Sequence, residues 1–134
     1  DTYVLIHESD LQTPLDIVDS FIESGHCPVA GWVVLPIVQP PVFYDTWAYR
    51  ADGENFSNQP PYHRQYRAYE PFEVESVGSC WLIWATDIVD GVRCEKLAVL
   101  DLCRLMRQRG RHIFVLPNIT IVQPVDLWTS YSHG

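Results

Sequence analysis

Glu8, Ser9 and Asp10 place two carboxylates two residues apart, directly after the apolar run Tyr3-Val4-Leu5-Ile6. In extended backbone alternate side chains share a side. Both acids would then face one way at the carboxyl end of a buried strand in a parallel sheet, where α/β proteins hold ligands. Paired oxygens suit a hard divalent cation, Mg²⁺ or Mn²⁺, able to bridge the oxygens of a diphosphate. The plainer reading is a solvated strand end leading into a helix.

A second cluster is Phe43-Tyr44-Asp45-Thr46-Trp47-Ala48-Tyr49-Arg50. Its rings could stack on a sugar or base while Asp45 and Arg50 meet hydroxyls or phosphate; alternatively the aromatics pack on the sheet. In Val77-Gly78-Ser79-Cys80-Trp81, the small residues Gly78 and Ser79 would let backbone approach a ligand. Glu75, Glu95 and Asp101 are further carboxylates, Asp101 lying mid-helix on a wet face or aimed into a cleft. There is no Gly-x-Ser-x-Gly elbow and no glycine-rich phosphate loop. The five histidines are scattered without ligand spacing. Cys27, Cys80, Cys94 and Cys103 form no CxxC pair and read as buried free thiols of a reducing compartment, hence a cytoplasmic expectation. Sequons at 55–57 and 118–120 carry little weight.

The 134 residues hold nine basic and seventeen acidic side chains, a net charge of −8. No basic stripe serves a nucleic acid, so an anionic partner would be held through a metal ion or a helix N-terminus. At 47% hydrophobic and 19% charged, the chain can build a core. Its apolar runs are too short and too interrupted by proline for a membrane span.

The elements that must position these residues follow from local pattern. Residues 2–6 predict a strand. Thr13 as N-cap and Pro14 at the first helical position predict a helix, with Leu15, Val18, Phe21 and Ile22 on one face and Gly25 as its stop. Residues 29–38 predict a continuously buried strand. Residues 39–71 form an irregular aromatic segment with five of the ten prolines, a loop length that is usually functional or mobile. Residues 74–84 predict a strand, 95–109 a helix ended by Gly110, and 112–116 and 118–122 two strands split by Pro117. This order predicts an α/β fold, a mixed β-sheet flanked by helices.

Taken in order, these segments resemble the second half of a GT-A-fold glycosyltransferase, family 2-like. In that family a strand ends in an acidic metal motif, Asp-x-Asp or a variant, and residues 3–10 look like that strand with Glu-x-Asp. Residues 13–18 match the following helix. Residues 43–50 resemble a loop of some members, residues 74–83 the glycine turn and acceptor-side strand, and residues 100–117 the helix and strand that end the catalytic core. The resemblance implies one partial catalytic domain over 1–134: metal-motif strand 2–10, aromatic loop 39–71, acceptor-side strand and helix 73–134. It also accounts for a chain that opens at Asp1 inside a strand, as a piece of something longer would.

By this resemblance Asp10 would bind Mn²⁺ or Mg²⁺ and Glu8 the ion or donor. Asp45, Trp47 and Arg50 would border the sugar or acceptor, and Gly78 and Ser79 would lend backbone contacts. The implied partners are a nucleotide-diphosphate sugar and a glycan or other hydroxyl acceptor. Two departures stand out. Where many inverting members carry an acidic pair with the catalytic base, this chain has Ala98 and Val99; where many carry a metal-binding histidine, it has Gln123. Glu95, Asp101 and Glu75 are the substitute bases. Rival expectations are a non-catalytic nucleotide-sugar or glycan-binding homologue and an interaction domain with no ligand. Donor, acceptor, stereochemical outcome and oligomeric state stay open, as does a lumenal location if the parent is a secretory enzyme.

Overall fold

Seven consecutive residues without a charged side chain, Val29 to Leu35, form the most buried of the described strands. The indole of Trp32 carries the sole polar side-chain group among them. A strand with no polar face can only sit inside a sheet covered on both sides. The computed structural model describes residues 2–8, 10–36, 40–67, 69–87 and 99–124. In chain order the elements are β1 (Tyr3–His7), α1 (Ile17–Glu23), β2 (Val29–Leu35), β3 (Val42–Phe43), β4 (Arg50–Ala51), β5 (Glu54–Asn55), β6 (Phe72–Val74), β7 (Cys80–Trp84), α2 (Val99–Gln108) and β8 (Ile113–Val122).

The main sheet runs β1-β7-β2-β8-β6, with β3 also on β2, and β4 and β5 form a separate hairpin. β2 and β8 are parallel, and the other main-sheet pairs are antiparallel. The protein is therefore α/β with a mixed sheet. Because β7 is antiparallel to both β1 and β2, the strands β1, β2 and β8 all point the same way.

Alternation divides the sheet between two cores. Ala30, Trp32, Val34, Trp81, Ile83, Ile113 and Val115 face one, with Leu102, Cys103 and Met106 of α2 and the aromatic segment. Val29, Val33, Cys80, Leu82, Leu116 and Ile121 face the other, under Ile17 and Phe21 of α1. Helices α1 and α2 end where a positive φ is needed: Gly25 at +77° and Gly110 at +84°. At Gly110 the N–H of Arg111 reaches Met106 O at 3.0 Å and that of Gly110 reaches Arg107 O at 3.0 Å, a Schellman cap.

Several sequence expectations are corrected. β1 is half-buried at the sheet edge, and its neighbour is antiparallel rather than parallel. Helix α1 starts at Ile17, with Asp16 rather than Thr13 at the cap and no side-chain capping bond, because Gln12 is held in a bridge to Val122. Its buried residues are Ile17 and Phe21, whereas Leu15, Val18 and Ile22 are exposed. Strand 29–38 is shorter, β2 ending at Leu35. The 74–84 strand is two, β6 and β7, parted by a turn at 75–79.

Pro117 does not divide β8; it opens an irregularity within it. Gly31 pairs with Leu116 and Trp32 with Thr120, so residues 117–119 are inserted opposite one peptide of β2. An odd insertion reverses side-chain parity: Ile113 and Val115 join one core before it, Ile121 the other after it. Gly31 is where this bulge is accommodated. A Cβ there would run into the end of the Ile121 side chain and lie 3.1 Å from Ile119 O. Gly31→Ala should therefore cost about 1–3 kcal/mol by overpacking, read as a lower denaturant midpoint with unchanged m. An unaltered midpoint would show that the bulge yields freely. Of the remaining sequence expectations, Ser9, Cys94, Glu95, Ala98 and the start of the 95–109 helix lie outside the described residues.

Candidate functional site

The carboxyl ends of β1, β2 and β8 meet in one place because the chain ties them there. Glu8 follows β1, and its N–H donates to Ser79 O at 2.9 Å. The chain then turns, Leu11 N–H reaching Glu8 O at 3.3 Å, and Gln12 exchanges two backbone bonds with Val122 at 2.8 and 2.9 Å. Asp10 is thereby held beside the end of β8. Gln123, one residue past β8, donates its N–H to Val34 O at 3.0 Å. Its side-chain Nε2 donates to Asp10 Oδ2 at 2.8 Å and to Pro124 O at 3.3 Å. Tyr44 joins through its N–H to Val33 O at 2.8 Å.

The three acids here do different work. Asp45 is consumed by the fold: Oδ1 accepts the Ala48 N–H at 3.1 Å and Oδ2 the Ser79 hydroxyl at 2.8 Å. Asp10 accepts from Gln123. The Glu8 carboxylate accepts no side-chain or backbone donor among the described residues, and neither Glu8 nor Asp10 pairs with a lysine or arginine among them. Burial raises the Glu8 carboxyl above its ordinary value, the Asp45 and Asp10 charges raise it further, and His7 pulls the other way. Burial and then Glu8, Asp45 and Asp10 likewise hold the proton on Tyr44, keeping its hydroxyl a donor.

A pKa raised on folding means the unfolded chain loses this proton first. The contribution of Glu8 to stability is complete below the ordinary value of 4.5 and is lost as pH rises through the folded value. Without divalent ions, Glu8→Gln should raise Tm at about pH 7 and change it little in acid. Thermal melts in chelator across that range check the sign; a larger gain in acid would contradict it.

Gly78 and Ser79 act on the site by position. The Gly78 carbonyl accepts from the Tyr49 hydroxyl at 3.1 Å and from Cys80 N–H at 2.7 Å, and the Ser79 carbonyl is taken by Glu8. Ser79 sits at φ +65°, a left-handed conformation uncommon outside glycine, and from there its hydroxyl meets Asp45. The buried Tyr49 hydroxyl also bonds Gly31 O at 2.9 Å, joining β2 to the 75–79 turn.

The aromatic segment mostly packs. Phe43, Tyr49, Phe56 and Tyr62 are buried, ringed around Trp32 and one another with centroids such as 4.6 Å for Trp32–Phe43. Tyr44 and Trp47 remain exposed, at 42% and 67%, on either side of Asp45 in the chain. Arg50 lies in the β4–β5 hairpin, bonding Gly53 O at 3.0 Å. Glu75 binds the Gly53 N–H in the same place, and Asp101 pairs with Arg104 on the outer side of α2. These three are thus engaged locally, and none of them bonds Glu8 or Asp10.

The donor set that could hold a cation is made of oxygens. Among the described residues no three His, Cys, Asp or Glu side chains are grouped to bind an ion. Asp10 alone is met by an amide: Gln123 is only 8% exposed, its Nε2 reaches Asp10, and its Oε1 is buried with no hydrogen-bond partner. A buried carbonyl without a partner is costly, and the exposed carboxylate oxygens of Glu8 and Asp10 are the donors that suit a hard divalent ion. The weight of Gln123 was not evident from the sequence, where it counted only as a missing histidine. The described thiols offer no alternative: burial lifts Cys27 and Cys103 to about 11 and Cys80 to about 12, so they stay protonated. No described helix is long and apolar enough to cross a membrane. No protein-family model matches the sequence and no curated protein matches it significantly, so the convergence of Glu8, Asp10 and Gln123 is what bears on function.

Proposed function

We propose that this chain is the metal-motif portion of a GT-A-like glycosyltransferase, holding a nucleotide-diphosphate sugar through a divalent cation. The observation that carries the reading is an exposed pair of acids, Glu8 and Asp10, with no basic partner among the described residues and an orphaned carbonyl at Gln123 beside them. A diphosphate would be repelled by this surface alone, and a bound Mg²⁺ or Mn²⁺ would supply the charge that stabilises it as a leaving group. Glu8 and Asp10 would hold the ion. Tyr44 and Trp47 would offer ring faces and a hydroxyl to a sugar, and the Asp45–Ser79 link would keep Tyr44 in register with the acids.

A second reading, a module that binds donor without transfer, is favoured by the local engagement of Glu75 and Asp101, which leaves neither free to take a proton at the site. Titration of the 134-residue chain with nucleoside-diphosphate sugars, with and without Mn²⁺, tests both. Metal-dependent binding supports a donor site. A partial catalytic domain is expected to transfer weakly or not at all, so sugar release by the longer parent supports the transferase and binding without release the module. No binding in either condition sinks both and leaves an interaction domain.

A further inference from the structure

We infer that the outer face of α1 is a docking surface for a basic amphipathic helix of another protein. Leu15, Val18 and Ile22 form its apolar seam, and Asp16, Asp19 and Glu23 its charged rim. The inference does not rest on the metal-dependent reading above and uses none of its residues.

Leu15 is fully exposed, and Val18 and Ile22 are exposed at 38% and 42%. Three of the six large apolar side chains exposed among the described residues thus stand on one short element. Scattered exposed apolar residues need no explanation, but a contiguous set does. The turn that carries Leu15 is continuous with the helix, since the N–H of Ile17 donates to Pro14 O at 3.2 Å and that of Ser20 to Asp16 O at 2.9 Å. Ile17 and Phe21 already commit the opposite side of α1 to the core, so folding leaves the stripe uncovered. Its spacing, three residues and then four, is that of a seam between two packed helices.

Charge specifies what fits the seam. At about 100° per residue, Asp19, Glu23 and Asp16 follow Leu15 round the helix in that order, all on one flank. All three are exposed, and none forms an ion pair among the described residues. Beyond them Ser20, Glu23, Leu116, Asn118 and Ile119 border a cavity of about 440 Å³. Apolar residues of β8 with an acid beside them suit the aliphatic stem and charged head of a lysine or arginine. The complement is therefore a helix with aliphatic residues in register and Lys or Arg along one edge. A second copy of this chain does not supply it: a two-fold contact of α1 with itself would set the acids of both copies together, and α2 exposes no large apolar side chain. An anionic membrane surface would repel the same acids. A seam of about two turns is small, which places the complex in the transient class.

The probe is a designed helical peptide of about 20 residues, long enough to hold helix in water, with leucines at the seam positions and lysines along one flank. A second peptide carries glutamate for every lysine. Fluorescence anisotropy with the 134-residue chain at low salt should show the lysine peptide binding about tenfold or more tighter than the glutamate peptide. The difference should shrink as salt rises. A net charge of −8 attracts any lysine peptide, so the decisive variants are on α1. Leu15→Gln with Ile22→Gln should weaken the lysine peptide by about tenfold or more and leave the melting curve in place, because both side chains face water. Asp19→Lys with Glu23→Lys keeps the seam and should turn the preference toward the glutamate peptide; this pair also serves if the glutamine pair fails to fold. No binding of the lysine peptide, or binding untouched by both pairs, would overturn the proposal. Binding to mixed phosphatidylcholine and phosphatidylserine vesicles that is lost in Leu15→Gln with Ile22→Gln would overturn it too, by making the face a lipid surface. The titration needs no metal, so its outcome is read independently of the donor-binding experiment.

Discussion

Asp10→Asn is expected to lower Mn²⁺-dependent binding of nucleoside-diphosphate sugars by about 100-fold or more, a loss at the upper end of what disturbed metal surroundings produce. Asparagine keeps the shape of aspartate and an oxygen for the Gln123 amide to reach, so the clasp between the end of β1 and the end of β8 persists. What disappears is the anionic oxygen. Stability should move by no more than about 0.5 kcal/mol, as for other exposed polar changes. Loss of binding with an unmoved melting curve separates ligation from folding; binding at wild-type strength by the Asp10→Asn variant would mean the acids at the end of β1 are only a wet strand end. Asp45→Asn tests the division among the acids, because Asp45 spends both oxygens on Ala48 and Ser79. Its effect should fall on the melting temperature first.

Gly78→Ala is expected to be the most damaging single methyl group near the site. A Cβ at Gly78 would lie 2.8 Å from Asp45 Oδ2 and 2.9 Å from Ala48 Cβ. Neither neighbour is the free end of a long side chain: one is a carboxylate held by two hydrogen bonds, the other is fixed to backbone. The insertion should cost about 1–3 kcal/mol, with about 1 kcal/mol more as the Ser79–Asp45 bond is displaced. For a chain of this size that is a fall in Tm of roughly 5–15 °C. The 45–49 turn would move as well, carrying Tyr44 and Trp47, so sugar binding should weaken even at temperatures where the variant is folded. A melting curve equal to that of the wild-type chain would show that the 75–79 turn is slack, and the positional role given to Gly78 would fail.

Much of the framework is legible because it depends on neighbours in the chain. Gly25 and Gly110 stop their helices since a positive φ is a one-residue property. The run at 29–35 has to be a central strand since it offers water almost nothing. The chemistry of Glu8 and Asp10, and the capacity of Gly78 for close approach, are likewise visible from type and spacing. The approach at Gly78 turned out to be to Asp45 and Ala48 within the protein, which no local pattern could specify.

The less legible features involve partners distant in sequence. Thr13 and Pro14 are good helix-starting residues, yet the helix waits until Ile17 because Gln12 is bound to Val122. Leu15, Val18 and Ile22 make as reasonable a buried face as Ile17 and Phe21, and only the docking angle of α1 chooses between them. Pro117 suggests two strands, but the pairing of β8 with β2 continues on either side of a bulge.

Residue order alone determined that two acids stand at a strand end, that the middle of the chain is aromatic, and where glycine must end each helix, because these are matters of local backbone and composition. Tertiary structure alone decided which acid is available. Asp45 became a fold-holding residue, Asp10 a clasped one and Glu8 an open one through contacts spanning 34 to 113 positions. Such contacts arise only when β1, β2, β7 and β8 are side by side, since a hydrogen bond depends on distances in space that no spacing in sequence encodes.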